Sequence, residues 1–167
     1  MSNFHRTAAN ATLLALALFY IILLGGGNYE HLNVTMVAAS APPKSLAMLQ
    51  GPYGFTPKYF WMIFRPITEV LFLLAIAFNW KTTSSRKRLL LTAFGIDVLL
   101  TVVTFTYFAP ETGVIAKAAF TDTVDPVLQG VARRWQNLNL LRLAGFYVAS
   151  VLLLLGLTLP VVPESSR

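Results

Sequence analysis

The chain has 167 residues, of which 56% are hydrophobic and 12% charged, so its polar side chains are too few to cover a soluble globule of this size. It contains no cysteine, which excludes disulfides, thiolate metal sites and thiol redox chemistry. The formal net charge of +6 does not indicate nucleic-acid binding, because the basic residues are scattered over loops and helix ends instead of forming one basic domain.

Four apolar runs are long enough to cross a bilayer, which takes about 20 mostly apolar residues in a helix. They cover approximately residues 12–29, 59–80, 89–108 and 138–159. The sequence therefore predicts an all-α integral membrane protein, a four-helix bundle that forms a single domain over residues 1–167 with the lipid bilayer as its solvent.

Two connecting segments, residues 30–58 and 109–137, are longer than helix connections in bundles usually are. In the first, residues 33–39 are expected to continue the first helix, and residues 44–50 to form one or two further turns. In the second, Asp125-Pro126 is typical of a helix start, which would run directly into the fourth span. Together these segments predict a partly helical outer cap.

The turn after the second span, residues 81–88, is short and carries four cations. Because basic residues in short loops lie mainly on the cytoplasmic side, this turn is predicted to be cytoplasmic. With four spans, both termini then share that side, and the two long segments face outward.

Ionisable side chains within a span cost about 2.5 to 3.5 kcal/mol each on insertion scales, and they normally pair or line a cavity. Arg65 and Glu69 lie four residues apart on the second span and so share a helix face. We predict catalytic roles for both, with Glu69 as the base and Arg65 stabilising an anionic oxygen. The alternative is an ion pair that only fixes helix register. Asp97, on the third span, is either a proton carrier or a neutral carboxyl hydrogen-bonded to Thr101.

The other spans supply polar side chains at compatible depth. The predicted substrate-binding residues are Glu30, His31, Trp61, Trp135, Asn139 and Arg142. The last three are spaced four and three apart, so they share one face where the fourth span begins. In this interpretation Arg142 stabilises an anionic oxygen and Asn139 orients the ligand, while Glu30 and His31 act at the mouth. The sequence thus predicts an outward-facing polar pocket for a small hydrophobic molecule.

Plainer interpretations exist for several of these residues. Trp61 and Trp135 lie near span ends, where aromatic belts are expected. His31 is a single histidine near a helix end, more often a hydrogen-bonding residue than a ligand. The run Gly25, Gly26 and Gly27 favours close helix packing or a hinge over a phosphate loop, because no Lys-Ser/Thr follows.

The donor set predicts no metal and no cofactor. The sequence does not favour a bis-histidine haem, because His5 and His31 are predicted at opposite ends of the first helix. A di-iron site would need Glu-x-x-His pairs, which the sequence lacks. An enzyme of this composition would therefore rely on acid–base groups and on the reactivity of its substrate.

Several short motifs carry a family resemblance. They are Asn-Tyr-Glu at 28–30, Ala-Pro-Pro-Lys-Ser-Leu at 41–46, Gln-Gly-Pro-Tyr-Gly at 50–54 and Arg-Arg-Trp-Gln-Asn-Leu-Asn at 133–139. In these motifs and in its layout the chain resembles the anthrone-oxygenase-like group of small four-helix bacterial membrane proteins. The resemblance implies a bacterial inner-membrane location and oxidation of activated polycyclic phenols by molecular oxygen without metal or flavin.

Two functions of different class remain open on these observations. The first is a membrane-embedded binder or cofactor-independent oxygenase of a small hydrophobic molecule. The second is a non-enzymatic accessory or assembly subunit of a membrane protein complex, whose charges serve helix register and protein partners. A transporter is less favoured, because no inverted repeat or pair of broken helices is visible.

Overall fold

The computed structural model describes residues 2–118 and 120–161. Four long helices run through them: α1 (Asn3–Ala38), α2 (Lys58–Asn79), α3 (Ser84–Lys117) and α4 (Pro126–Thr158). Each is long and apolar enough to cross a membrane, which confirms the predicted all-α membrane bundle. α1 has 36 residues and is about 54 Å long, well beyond the ~30 Å hydrocarbon core, so part of it projects from the bilayer.

The helices are unevenly packed. α1 packs closely on α2 and α4, and α3 packs closely on α4, whereas the seam between α2 and α3 has few contacts. Tyr20, Phe72 and Phe146 lie in the shared apolar core. Large apolar side chains such as Leu73 and Leu99 point outward, as expected for a bundle whose solvent is lipid.

At one end of the bundle, called here the terminal end, α1 begins and α4 ends. Arg86, within the stretch predicted as a cytoplasmic turn, is completely buried there. Its guanidinium donates to Asn79 Oδ1 at 2.7 Å, to Asn10 Oδ1 at 2.9 Å and to the Leu159 carbonyl at 2.9 Å. Arg86 therefore ties α1, α2 and α3 to the residue that follows α4.

At the opposite end, the cap end, the two long connections meet as predicted. A 3₁₀ turn, Lys44–Leu49, follows α1. The Asp125 amide donates to the Pro42 carbonyl at 2.9 Å, and Gln50 Nε2 donates to the Ala118 carbonyl at 3.0 Å. Asp125 also caps α4, since its Oδ1 accepts from the amide of Val127 at 2.8 Å. The partly helical cap is confirmed, and apart from the 3₁₀ turn its helical residues continue the spans.

Two π-helical segments interrupt the long helices near the cap end: His31–Thr35 in α1 and Thr104–Phe108 in α3. A π segment inserts one extra residue into the turn, so it rotates the residues beyond it to a new face, and such segments are frequent at functional sites. Nothing in the local sequence predicted them.

Candidate functional site

Besides the Arg86 network at the terminal end, polar side chains of the bundle interior form two neighbouring groups, the first of which is the Arg65 cluster (Tyr20, Arg65, Glu69, Asp97 and Thr101). Arg65 Nη1 donates to Asp97 Oδ1 at 2.8 Å, and its Nη2 donates to Glu69 Oε1 at 2.7 Å and to Asp97 Oδ2 at 3.2 Å. Arg65 Nη2 also donates to the Thr101 hydroxyl. The Tyr20 hydroxyl completes the network by donating to Asp97 Oδ1 at 3.0 Å. Three helices are joined through Arg65 and Asp97.

The two acidic partners of Arg65 differ in how deeply they are buried. The Asp97 side chain is 0% exposed, whereas that of Glu69 is 36% exposed. Asp97 is therefore the principal counter-ion. Its carboxylate is ion-paired, and the Thr101 hydroxyl donates to the Asp97 main-chain carbonyl at 2.9 Å instead of to the carboxylate. The bonds from Arg65 to Asp97 cross the α2–α3 seam, so charge-assisted hydrogen bonds hold these two helices together where they have few other contacts.

The second group is the Arg142 cluster (Glu30, His31, Trp61, Tyr107, Phe108, Asn139 and Arg142). The Arg142 guanidinium lies 4.6 Å from the ring centroid of Phe108 and 5.8 Å from that of Trp61, both within cation–π range. Its Nε is buried without a hydrogen-bond partner, and no hydrogen bond or ion pair joins Arg142 to another residue that the structure describes. Glu30 attracts it only from beyond ion-pair distance. Arg142 is thus a half-buried cation that contacts aromatic faces and whose Nε is buried without a partner.

Glu30 and Trp61 form one wall of this cluster. Trp61 Nε1 donates to Glu30 Oε2 at 2.5 Å, which orients the carboxylate from α1 toward α2. Trp61 is held in place by the close approach of α1: a Cβ on Gly27 would lie 3.5 Å from its ring and 2.9 Å from the Leu143 side chain. The prediction that the glycine run serves close packing is confirmed at this position.

Asn139 and His31 form the opposite wall. Asn139 Nδ2 lies 3.0 Å from His31 Nδ1, and both side chains are buried. Asn139 is only 1% exposed, and its Oδ1 atom is buried without a hydrogen-bond partner. His31 is the first residue of the π segment of α1.

The π segment of α3 contributes the remaining side chains. Phe108 lies under Arg142, and the hydroxyl of its neighbour Tyr107 is buried without a hydrogen-bond partner. Trp135 Nε1 donates to the Phe108 carbonyl at 3.2 Å, and the two rings meet edge to face with centroids 5.5 Å apart. Trp135 therefore supports Phe108 from behind.

The structure brings most of the predicted site residues together, in two groups instead of one. All six predicted substrate-binding residues belong to the Arg142 cluster or, for Trp135, contact it. The predicted catalytic residues Arg65 and Glu69 lie in the Arg65 cluster. The Phe146 ring lies between the two clusters: its centroid is 5.9 Å from the Arg65 guanidinium and 6.5 Å from the ring centroid of Trp61. The catalytic roles of Arg65 and Glu69 stay predictions.

Tyr20, Tyr107 and Phe108 were missed by sequence reasoning. Tyr20 reaches a carboxylate 77 positions away, and only the helix arrangement brings them together. In the sequence, Tyr107 and Phe108 look like ordinary aromatic residues at a span end. In the structure they lie in the π segment of α3, which changes the face on which they stand.

Among the described residues, no three His, Asp or Glu side chains come together as a candidate metal site. The chemistry on offer is that of a desolvated guanidinium, a carboxylate, an imidazole and unpartnered amide and phenol groups. In comparisons with known proteins, no family model, curated protein or solved structure matches the chain.

Proposed function

We propose that the Arg142 cluster binds a small hydrophobic molecule through an oxygen atom that is, or becomes, negatively charged. The observation that carries this proposal is the Arg142 guanidinium, which has no hydrogen-bond partner among the described residues and whose Nε is buried. Leaving a buried donor unpaired costs free energy, more so for a charged group, and evolved interiors seldom tolerate it without a purpose. An anionic oxygen would both neutralise the cation and accept its hydrogen bonds.

The surroundings of Arg142 favour an aromatic or polycyclic ligand. The rings of Trp61 and Phe108 supply apolar walls, and sites of this kind combine apolar walls with a few polar groups that fix orientation. Asn139 Oδ1 and the Tyr107 hydroxyl are two buried polar groups without partners. A hydroxylated ring system would satisfy them, which suits a phenol or its keto tautomer.

The same residues could support oxygenation of an activated phenol. Glu30 takes a proton from the acidic carbon of the keto tautomer, and Arg142 stabilises the resulting enolate oxygen. The electron-rich carbon then reduces molecular oxygen and forms a C–O bond. The peroxide takes the proton back from Glu30 and loses water, which leaves a new carbonyl, so one substrate and one O₂ give one ketone and one water.

Binding is tested by titrating 1-naphthol into the protein in lipid nanodiscs. We expect Arg142→Gln to weaken binding by about tenfold or more, because a hydrogen bond to a charged group is lost. Arg134→Gln is the matched control, since the Arg134 side chain is 60% exposed. Absence of saturable binding, or equal binding by the wild type and Arg142→Gln, would overturn the proposal and favour an accessory subunit.

Catalysis is tested separately, with anthrone and an oxygen electrode. We expect the wild type to consume oxygen, and Glu30→Gln to lose this activity while it still binds 1-naphthol. Oxygen consumption unchanged in Glu30→Gln would contradict the role given to that carboxylate.

We further propose that the terminal end faces the cytoplasm of a bacterial inner membrane, because Arg6, Lys81 and Arg88 are exposed there. The chain has no cysteine, so single cysteines report topology directly. Tyr53→Cys, at a cap-end side chain that is 98% exposed, should react with a membrane-impermeant maleimide on intact cells. Ser85→Cys, at the terminal end, should react only after lysis; the reverse pattern would invert the orientation.

A further inference from the structure

A groove of about 450 Å³ runs along the outside of the bundle between α1 and the start of α2. Its lining is formed by Ile22, Gly25, Gly26, Tyr29, Glu30, Phe55, Pro57, Phe60 and Trp61. Apart from the Glu30 carboxylate, which Trp61 engages, these are apolar or aromatic side chains and glycine backbone. The volume lies in the range of small-molecule sites.

Glycines open this groove. Gly25 has open space where a side chain would stand: a Cβ built there meets nothing within 4 Å. At Gly26, a Cβ would lie 2.4 Å from the Phe60 ring, so the ring can lie directly on the helix backbone only because the residue is glycine. Side chains in place of these two glycines would fill the groove or push its wall outward.

The groove and the Arg142 cluster share a wall. Trp61 lines the groove, and its ring centroid is 5.8 Å from the Arg142 guanidinium. Glu30, bonded to Trp61 Nε1, also belongs to both. Trp61 and Glu30 are thus the residues common to both, and a molecule that occupies both passes beside the Trp61 ring.

The position of the groove along α1 determines which solvent it meets. Ile22 and Glu30 lie about 28 and 40 Å along the helix from its first residue, at 1.5 Å per residue. This places the groove toward the cap side of the bilayer, where Ile22 is 43% and Tyr29 59% exposed on the lipid-facing surface. Because Ile22 lies in the predicted first span, whereas Glu30, Phe55 and Pro57 lie in the predicted outer segment, the groove runs from the hydrocarbon edge to the membrane interface.

We infer that the ligand is an amphiphile: an oxygen-bearing ring at Arg142 with a linear hydrocarbon tail that lies in the groove, as in an alkyl- or isoprenyl-substituted phenol. This inference rests on the proposed function, since the groove alone does not select a head group. The tail gains little hydrophobic free energy by leaving lipid, so its contribution is to position the ring and to admit the molecule sideways from the bilayer.

The experiment compares 1-naphthol with a 4-dodecyl derivative of 1-naphthol in nanodiscs. Gly25→Leu places a side chain in the groove, and Gly95→Leu is the matched control, because a Cβ at Gly95 also meets nothing within 4 Å and lies on an exposed helix face. We expect Gly25→Leu to weaken binding of the dodecyl compound by about tenfold or more, as overfilled sites do, and to leave 1-naphthol within about twofold. Gly95→Leu should change neither.

The outcomes separate the two proposals. If Gly25→Leu changes neither ligand, or weakens both equally, the tail does not lie in the groove and the inference fails, while the Arg142 site stands. If Arg142→Gln does not change the binding of 1-naphthol, both proposals fail. Should Gly25→Leu not fold, a dodecyl chain carrying a terminal diazirine decides the matter in the wild type: label within residues 22–30 and 55–61 supports the inference, and label confined to other segments overturns it.

Discussion

Asp97 is predicted to matter far more for stability than Glu69, although only Glu69 lies at helical spacing from Arg65. Asp97→Asn removes the buried carboxylate that receives bonds from both Arg65 terminal nitrogens and from the Tyr20 hydroxyl. Breaking a buried ion pair typically costs about 3 to 5 kcal/mol, because the remaining charge is left buried. Arg65 keeps its bond to Glu69 and unfolded helices in a membrane find other partners, so we expect the lower end, about 3 kcal/mol.

Glu69→Gln provides the comparison. It removes one contact of a side chain that is 36% exposed, so we expect a loss of less than about 1 kcal/mol. Tyr20→Phe, which removes only the hydroxyl, should cost about 1 kcal/mol. The measurement is the free energy of unfolding in mixed detergent micelles titrated with a denaturing detergent. A loss for Glu69→Gln equal to or greater than that for Asp97→Asn would refute the assignment of Asp97 as the principal counter-ion.

Two further predictions concern packing and the terminal end. Arg86→Lys should lower the free energy of unfolding by about 2 kcal/mol or more, because a single ammonium cannot reach acceptors on several elements. Arg88→Lys, at an exposed position, should have little effect. Similar losses for the two variants in the same detergent assay would contradict the role of Arg86 in tying the helix ends together. Gly26→Ala should lower the free energy of unfolding by about 1 to 3 kcal/mol, since the new methyl would displace the Phe60 ring. Gly95→Ala should be neutral or stabilising. Equal thermal unfolding of the two variants would contradict the close contact of the Phe60 ring with Gly26.

Local patterns predicted the membrane helices and the elements of the cap. Run length and composition were sufficient for four spans, because a bilayer requires about 20 apolar residues in each helix. The Asp125-Pro126 pair predicted the start of α4 because capping is a matter of neighbouring backbone groups. The spacing of Asn139 and Arg142 placed them on one face for the same reason, since helical periodicity is local.

Partnerships between helices could not be predicted in this way. Arg65 had a visible partner at helical spacing, yet its buried counter-ion, Asp97, lies 32 positions away on another helix. Arg86 was indistinguishable from the other cations of its turn until the ends of the helices were brought around it. The choice depends on which helices are neighbours and on their rotation, which no single segment encodes.

By itself, the sequence determined that this is a membrane protein of four helices with polar groups concentrated toward the cap, because hydrophobicity, helical period and capping act over a few residues. Only the tertiary structure decided that these groups form two clusters, one joined by ion pairs and one built around a guanidinium without a hydrogen-bond partner. The physical reason is that contacts between helices are not encoded locally: the π segments change the faces that α1 and α3 present near the Arg142 cluster, and the glycine contacts of α1 bring α2 and α4 close.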